Sequence, residues 1–332
     1  MSALVDRPFI ERWTRAAPRL AGLIQWLTWE VWTTERFQEC GSKPSEYLQS
    51  GERVVNEWES LLTAAADSYS SELTAAPSPA WRISDFLRDR PEACVLVLDG
   101  CSLRELPRLL DLAHASRRPM MECACGRSAI PSTTEHFVNL RTGFAFPAIG
   151  PSQLVSRREW RELGIRYHYF QAPNESQHIS EKPGSILLWH RFPDLRFMDS
   201  TASSAEFYDS IWDTLGLVWQ RTVQALPSSR TVLVTSDHGY VFLGSGFSDR
   251  GLDGSDQPLK GKRYREFEPD EPLPAESPGL YVDSERRIAA VRGRCHNRPQ
   301  APSPSRSLFR HEGVSLMEVL TPWLVLGPAE AS

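Results

Sequence analysis

The sequence predicts an α/β protein built on a mostly parallel sheet that is covered by helices. Short continuous apolar runs recur at 95–98, 165–170, 186–189 and 232–234, and fully buried strands of a parallel sheet have this appearance. Amphipathic segments such as 205–226 separate the runs, as in βαβ units. The 332 residues are 41% hydrophobic and 24% charged. This composition is that of a globular chain and excludes overall disorder.

The first part of the chain predicts helices. Apolar residues recur at helical spacing over residues 20–31 and again over 54–62. The stretch Ala76-Pro77-Ser78-Pro79 interrupts this pattern, and the character of the chain changes after it. We therefore expect a helical N-terminal section, residues 1–90, followed by an α/β domain, residues 91–332.

Tryptophans are concentrated in that helical section. Trp26, Trp29 and Trp32 follow one another at intervals of three, which predicts one stripe on a helix. One interpretation is that the stripe packs on the α/β core. The alternative is that it forms a docking surface for a partner protein, since aromatic residues are enriched at interfaces.

Two later segments interrupt the alternation of strands and helices. Residues 244–278 are rich in Gly, Pro, Asp and Ser and predict a long loop, with a basic cluster at 260–265. Residues 281–292 predict a hairpin. The basic cluster and the arginines between 286 and 294 either line an approach for phosphates or lie on a solvated loop.

Charge and apolar content exclude several classes of protein. Lys and Arg number 37 against 42 Asp and Glu, so the net charge of -5 argues against bulk binding to nucleic acid or anionic membrane. No apolar run has the length of a membrane span, and the first residues lack the apolar stretch of a secretory signal. We expect a cytoplasmic protein without membrane contact, with its 6 cysteines reduced.

Two predicted strands end in candidate metal ligands. The run 95–98 leads into Asp99-Gly100, and the run 232–234 leads into Asp237-His238-Gly239. Ligands collect at the carboxyl ends of parallel strands, and carboxylate and imidazole donors suit zinc or manganese. The alternative is that Asp99 caps the helix beginning near Leu103 and that Asp237 and His238 shape a turn.

A hydroxyl precedes the next helical pattern. Thr134 follows Pro131-Ser132-Thr133, and the pattern continues through Leu140 to Gly143. The positive end of a helix dipole favours a phosphoryl group beside such a hydroxyl, so Thr134 is a candidate nucleophile. Thr134 could instead be an ordinary helix cap, and the sequence does not decide whether Ser132 could replace it.

Taken in order, five segments resemble the alkaline phosphatase superfamily and, within it, the PglZ domain. They are Leu98-Asp99-Gly100, the segment 131–135 with Leu140 and Gly143, the segment 189–194 (Trp-His-Arg-Phe-Pro-Asp), the segment 235–240 (Thr-Ser-Asp-His-Gly-Tyr) and the segment 311–322, which begins at His311. The resemblance covers residues 92 to 326. It implies an alkaline-phosphatase-like sheet sandwiched by helices, two divalent metals, usually zinc, and a hydroxyl nucleophile.

The resemblance also implies roles for individual residues. By position, one metal would be held by Asp99, Asp237 and His238, and the second by Asp194 and His311, with Thr134 as nucleophile. The sequence departs from the superfamily pattern at the second metal, because Met198 occupies the position of a further ligand. Asp199, one residue later, is the candidate to replace it. Glu312 also stands where the family has Gly.

The implied function is that of a metal-dependent phosphohydrolase, foremost a phosphodiesterase acting on nucleotides or oligonucleotides. PglZ-like domains further imply a bacterial anti-phage system of the BREX type, with other defence proteins as partners. The alternative, which Met198 and Glu312 motivate, is a catalytically weak or inactive PglZ-like scaffold that binds partner proteins in a defence complex. The number of metals bound per chain separates the two hypotheses.

Overall fold

The computed structural model describes residues 19–64, 72–73, 83–141, 164–179, 181–197, 203–243, 259, 262–294 and 309–330. The helices are α1 (Arg19–Trp26), α2 (Thr34–Glu39), α3 (Pro44–Ala64), α4 (Ile83–Asp89), α5 (Leu106–Ala115), α6 (Thr134–Arg141), α7 (Ser204–Arg221) and α8 (Leu316–Val319). The strands are β1 (Cys94–Leu98), β2 (Met120–Arg127), β3 (Arg166–Phe170), β4 (Ile186–His190), β5 (Val232–Ser236), β6 (Val241–Phe242), β7 (Tyr264–Glu266), β8 (Leu280–Asp283), β9 (Ile288–Val291), β10 (Phe309–Arg310) and β11 (Leu320–Leu326).

A six-stranded sheet in the order β2-β11-β5-β1-β4-β3 forms the centre of the molecule. β1 pairs in parallel with β4 and β5, and β3 pairs in parallel with β4. β11 pairs antiparallel with both β2 and β5. The predicted α/β fold with a mostly parallel sheet is therefore confirmed, and each of the four predicted apolar runs is one of its strands.

Alternate residues of each central strand face opposite layers of helices. Leu96 of β1 belongs to the larger apolar cluster, with α5, α7 and the N-terminal helices. Val95 and Val97 belong to the other cluster, with α4 and α6. Burial on both faces explains why these strands read as continuous apolar runs.

The N-terminal helices share the larger cluster with the sheet. Trp26 and Trp32 are buried, but Trp29 is 74% exposed, so the predicted single stripe of three tryptophans is wrong. The chain forms a π-helix over Leu27–Val31, and its wider turn rotates Trp29 away from the buried face. Trp13 lies outside the described residues.

Part of the predicted loop is a strand. β7 lies within 244–278 and pairs with β9, while β8 and β9 form the predicted hairpin. The resulting three-stranded sheet has the order β7-β9-β8 and a small apolar cluster of its own. The prediction missed β7 because its pairing partner lies more than 20 residues further along the chain.

No helix among the described residues has the length and apolarity of a membrane span.

Candidate metal centre

Asp99 and Asp237 lie side by side at the carboxyl edge of the central sheet. Leu98 and Ser236, the residues just before them, are direct neighbours in the β1–β5 register. Neighbouring strands are about 4.8 Å apart, so the next residue of each strand places two carboxylates together. Asp99 is 6% exposed, and Asp237 is fully buried.

Backbone and side-chain donors hold the Asp237 carboxylate. Its Oδ1 accepts hydrogen bonds from the backbone N–H of Gly100 and of His238, both at 3.0 Å. Its Oδ2 accepts one from the Thr134 hydroxyl at 2.6 Å. Oδ1 of Asp237 therefore stabilises the turn, as the structural alternative proposed. Oδ2 has a further role that this alternative does not explain, because it orients the Thr134 hydroxyl.

His238 presents one ring nitrogen to this pair. Its Nδ1 lies 2.9 Å from the carbonyl oxygen of Gly239, which fixes Nδ1 as the protonated nitrogen because a carbonyl only accepts. The other nitrogen, Nε2, is left to accept a proton or a metal. Gly239 is required here, since a Cβ at this position would lie 2.1 Å from the carbonyl oxygen of Met317.

Asp194 reaches the site from the turn that follows β4. Its backbone N–H donates to the carbonyl oxygen of Asp99 at 2.8 Å. Gly100 allows this approach, because it has a φ of +81° and a Cβ there would lie 3.1 Å from the Asp194 Cβ. Asp194 then faces His311, with its Oδ1 3.3 Å from the His311 Nε2.

His311 is held by Ser132. The His311 Nδ1 lies 3.2 Å from the Ser132 carbonyl oxygen, so Nε2 again faces the site. The Ser132 hydroxyl donates to the carbonyl oxygen of Gly313 and accepts from the backbone N–H of Glu312, both at 3.0 Å. Ser132 is fully buried, and both its hydroxyl and its carbonyl oxygen contact the segment that carries His311. The sequence gives no signal for this role of Ser132, because the contact to His311 uses the backbone carbonyl oxygen, which every residue type has.

Thr134 is the first residue of α6. The helix cap is the preceding residue, because the Thr133 hydroxyl accepts from the backbone N–H of His136 at 3.3 Å. Thr134 therefore keeps its own hydroxyl for Asp237. The capping alternative for Asp99 is also wrong, because Ser102 is the residue that caps the 3-10 helix at Leu103.

Five residues form two overlapping groups that fit a metal. Asp99, Asp237 and His238 each offer one ligand atom within 4.8 Å of the others, and so do Asp194, His238 and His311. The rings of His238 and His311 stack with centroids 4.2 Å apart. All five of these residues, and Thr134, were candidates from the sequence, and the structure brings them to one edge of the sheet.

The separations inside the groups match those of ligands that share an ion. Two donors bound at about 2.1 Å in a tetrahedral zinc site lie about 3.4 Å apart. His238 Nε2 lies 3.5 Å from Asp99 Oδ1 and 3.6 Å from Asp237 Oδ2. His238 Nε2 and Asp99 Oδ1 are buried and have no hydrogen-bond partner among the described residues. Buried polar atoms without partners are rare, so these atoms fit a cation.

The second group has fewer ligands of its own. His238 offers only Nε2, so once it joins Asp99 and Asp237, a second metal keeps Asp194 and His311 alone among the described residues. The predicted additional ligand, Asp199, and the neighbouring Met198 lie outside the described residues.

The buried charges shift the pKa values at the site. Burial raises the pKa of Asp99 well above its ordinary value, and the neighbouring Asp237 raises it further. Burial alone would lower the pKa of His238, but the Asp237 and Asp99 carboxylates outweigh it and raise that pKa to about 10. Burial and the neighbouring His238 lower the pKa of His311.

Metal binding near pH 7.5 should therefore release protons from the protein. His238 is protonated at that pH in the metal-free chain and must lose its Nε2 proton to become a ligand. Calorimetric titration with zinc in two buffers of different ionisation enthalpy should detect about one proton or more per chain. His238→Gln should reduce this release; an unchanged proton count would contradict the assignment.

The shifts of His238 and Asp99 predict that the metal-free protein becomes less stable as the pH rises above about 6.5; the lowered pKa of His311 acts in the opposite direction only below that pH. The folded-state pKa of His238 lies above its ordinary value of 6.5. Its stabilisation is therefore fully present below pH 6.5 and is lost as the pH rises through about 10. The raised pKa of Asp99 acts in the same direction. Melting curves of metal-free protein across this range check the sign, and saturating metal should flatten the trend.

The arginines predicted from the sequence to line an approach for phosphates are instead paired within the protein. Arg263 contacts Glu318 at 2.8 Å, Arg265 contacts Glu271 at 2.5 Å and Arg286 contacts Asp283 at 2.6 Å. Arg292 and Arg294 are also ion-paired. These contacts support the structural alternative for the basic residues. Cys123 and Cys125 are free thiols on β2, as expected for reduced cysteines.

The chain is similar in structure to solved proteins of low sequence identity. No family model matches the sequence, and no curated protein matches it. Murine ectonucleotide pyrophosphatase/phosphodiesterase 5 has a similar structure, with a TM-score of 0.46, 13% identity, and coverage of 71% of this chain and 88% of that one. Phosphonoacetate hydrolase from Sinorhizobium meliloti 1021 has a TM-score of 0.38, 14% identity, and coverage of 71% and 90%. Similarity at this level assigns no activity.

Proposed function

We propose that this chain is a divalent-metal-dependent phosphohydrolase of the alkaline phosphatase superfamily, a phosphodiesterase acting on nucleotide esters, with Thr134 as its nucleophile. One observation carries the proposal: the Thr134 hydroxyl lies 2.6 Å from Asp237, inside a buried group of metal-compatible side chains. A hydroxyl at this place has no structural task as a helix cap, since Thr133 already performs it.

The chain's own residues position the reaction. Asp237 Oδ2 orients the Thr134 hydroxyl, and its Oδ1 is fixed by two backbone N–H groups. The first-turn N–H groups of α6 and the helix dipole favour a phosphoryl group beside Thr134. Bound divalent cations would lower the pKa of the hydroxyl and neutralise charge on the phosphoryl oxygens.

The reaction then proceeds in two displacements. The Thr134 hydroxyl loses its proton as its Oγ forms a bond to phosphorus, the bond from phosphorus to the leaving oxygen breaks, and the leaving oxygen takes up one proton, so that no net proton is gained or lost. Water next attacks the phosphothreonine, which restores the Thr134 hydroxyl and releases the phosphate monoester. Zinc or manganese suits the Asp and His donors. The anti-phage setting and the defence partners form part of this proposal only through the resemblance of the motifs.

Hydrolysis of bis(4-nitrophenyl) phosphate with zinc or manganese tests the proposal. We expect turnover by the wild type, loss upon chelation, and a fall of about 10³-fold or more in Thr134→Val, because removal of a nucleophile abolishes the covalent route. Thr134→Ser should retain measurable turnover, since it keeps a hydroxyl at this position. Full activity of Thr134→Val at unchanged metal content would refute the nucleophile assignment.

A second candidate function is that of a partner-binding scaffold with little or no turnover. The observation that favours it is the second metal group, where the described residues supply only Asp194 and His311 once His238 binds elsewhere. Metal analysis of the purified protein separates the two functions. Close to two ions per chain supports the phosphohydrolase, and one or none supports the scaffold.

A further inference from the structure

An arginine stands next to the candidate metal centre in the sheet register. Leu98 of β1 is the neighbour of His190 of β4, and the N–H of Asp99 donates to the His190 carbonyl at 2.9 Å. The N–H of Arg191 likewise donates to the Phe170 carbonyl of β3 at 3.0 Å. The hydrogen bonding between β1, β4 and β3 thus continues one residue beyond each strand, which places Arg191 directly beside Asp99.

The side chain of Arg191 is available for binding. It is exposed, and no hydrogen bond or ion pair joins its guanidinium group to the described part of the chain. The Asp99 carboxylate beside it is directed inward, with Oδ2 3.4 Å from the Trp189 Nε1 and Oδ1 facing His238. Arg191 therefore differs from the five arginines that are paired with carboxylates, which are Arg263, Arg265, Arg286, Arg292 and Arg294.

A tyrosine hydroxyl lies on the same side. Tyr169 of β3 is the neighbour of Trp189 in the register, and both pack with the apolar cluster on the α6 face. The Tyr169 hydroxyl donates to no described residue. Burial raises the pKa of Tyr169 to about 12, while the Arg191 charge opposes this shift and the Asp99 carboxylate adds to it. The hydroxyl is thus within electrostatic reach of both.

We propose that Arg191 and Tyr169 form an anion subsite for a second phosphate of the substrate, next to the phosphate that Thr134 attacks. The inference rests on the proposed function and deepens it toward substrates with consecutive phosphates. A guanidinium fork and a phenol donor both suit phosphate oxygens.

The spacing favours a second phosphate over the reacting one. Asp99 separates Arg191 from Asp237, the residue that holds Thr134. Two strand spacings place the Cα atoms of Arg191 and Asp237 about 10 Å apart, which is wider than one phosphoryl group. Arg191 therefore approaches the site from the far side of Asp99, where a phosphate next to the reacting one would lie.

Binding of short thymidine ligands tests the subsite without relying on turnover. The probes are the dinucleoside monophosphate TpT and its forms with one terminal phosphate, pTpT and TpTp. Calorimetry uses manganese-loaded Thr134→Val protein. We expect one phosphorylated form to bind about 10-fold more tightly than TpT or better, as a charge-assisted contact allows.

Variants assign this preference to the two side chains. Added to Thr134→Val, Arg191→Ala and Arg191→Gln should each abolish the preference for the phosphorylated form, and Tyr169→Phe should reduce it severalfold. The control is Arg53→Ala, an equally exposed arginine on α3, which should retain it. Metal content is measured for each variant, and the subsite requires that Arg191→Gln bind metal as the parent does.

The outcomes separate the subsite from the proposed function. A preference that survives in both Arg191 variants, or no preference in the parent protein, overturns the subsite. Wild-type hydrolysis of TpT in that case leaves the phosphohydrolase intact. An Arg191-dependent preference in a wild type that hydrolyses none of the three ligands supports the subsite and refutes the proposed activity.

Discussion

Asp237→Asn should lower the affinity for zinc or manganese by more than about 100-fold, since loss of residues that merely support a ligand costs 10- to 100-fold. The fold should persist, because an amide oxygen can still accept from the backbone N–H groups of Gly100 and His238. The increase in melting temperature upon metal addition should disappear together with hydrolysis. Metal titration followed by thermal melts measures both effects.

Asp213→Asn is the matched control for this variant. Asp213 is an exposed residue of α7, so the same loss of one charge should leave the affinity for metal unchanged. Full metal content and normal turnover in Asp237→Asn would remove Asp237 from the ligand set and with it the main support for the proposed mechanism.

Glu52→Ala should destabilise the protein by about 3–5 kcal/mol, the usual cost of removing one partner from a buried ion pair. Glu52 of α3 is fully buried, and it accepts hydrogen bonds from Arg104, which follows β1, and from Arg294, which follows β9. Arg294 keeps a second carboxylate, Glu59, at 2.8 Å. Arg104 forms no other ion pair among the described residues, so its buried charge would keep only the weaker attraction of Glu105 and of the Tyr240 ring.

Denaturant unfolding with three further variants checks this explanation. Glu52→Gln keeps an acceptor and should lose less stability than Glu52→Ala. The double variant Glu52→Leu with Arg104→Met removes both charges and should also lose less than the single alanine variant. Glu46 lies on the same helix as Glu52 and forms an exposed pair with Lys43, which precedes the helix; Glu46→Ala should have little effect. Equal losses in all four proteins would contradict a buried-charge mechanism.

The contacts of α3 with later parts of the chain also concern the predicted boundary between a helical section, residues 1–90, and the α/β domain. Glu59 of α3 accepts from the backbone N–H of Leu316 at 2.7 Å, a few residues after His311. The N-terminal helices therefore contact both the larger apolar cluster and the segment that presents a candidate ligand. We expect that removal of residues 1–80 leaves a chain that aggregates, which size-exclusion chromatography can test.

The sequence revealed those site residues that follow directly from a strand. Asp99 and Asp237 each end an apolar run, so chain direction and the rule for parallel sheets suffice to place them together. The positions of Asp194 and His311 depend on turns, and only the resemblance of the motifs suggested them. The supporting contacts of Ser132 and Gly239 use backbone carbonyls, which no residue type signals.

The buried charge of Glu52 can be inferred only in part from the helical spacing of apolar residues in α3. Glu52 follows Leu48 by four residues and precedes Val55 by three, so it lies on the apolar face of α3. That spacing predicts a buried carboxylate. Its partners Arg104 and Arg294 belong to other elements of the fold, and a helical pattern contains no information about them. The strand β11 escaped prediction because it contains Pro322 and follows α8 without a turn.

The place of β11 in the sheet has a consequence for synthesis of the protein. β11 lies between β2 and β5, although both are translated earlier. Until residue 326 has left the ribosome, β5 has an open edge and β2 has no neighbour among the described strands. Nascent chains of intermediate length should therefore bind chaperones that recognise unpaired apolar strands, and a stop codon shortly before β11 should yield insoluble protein.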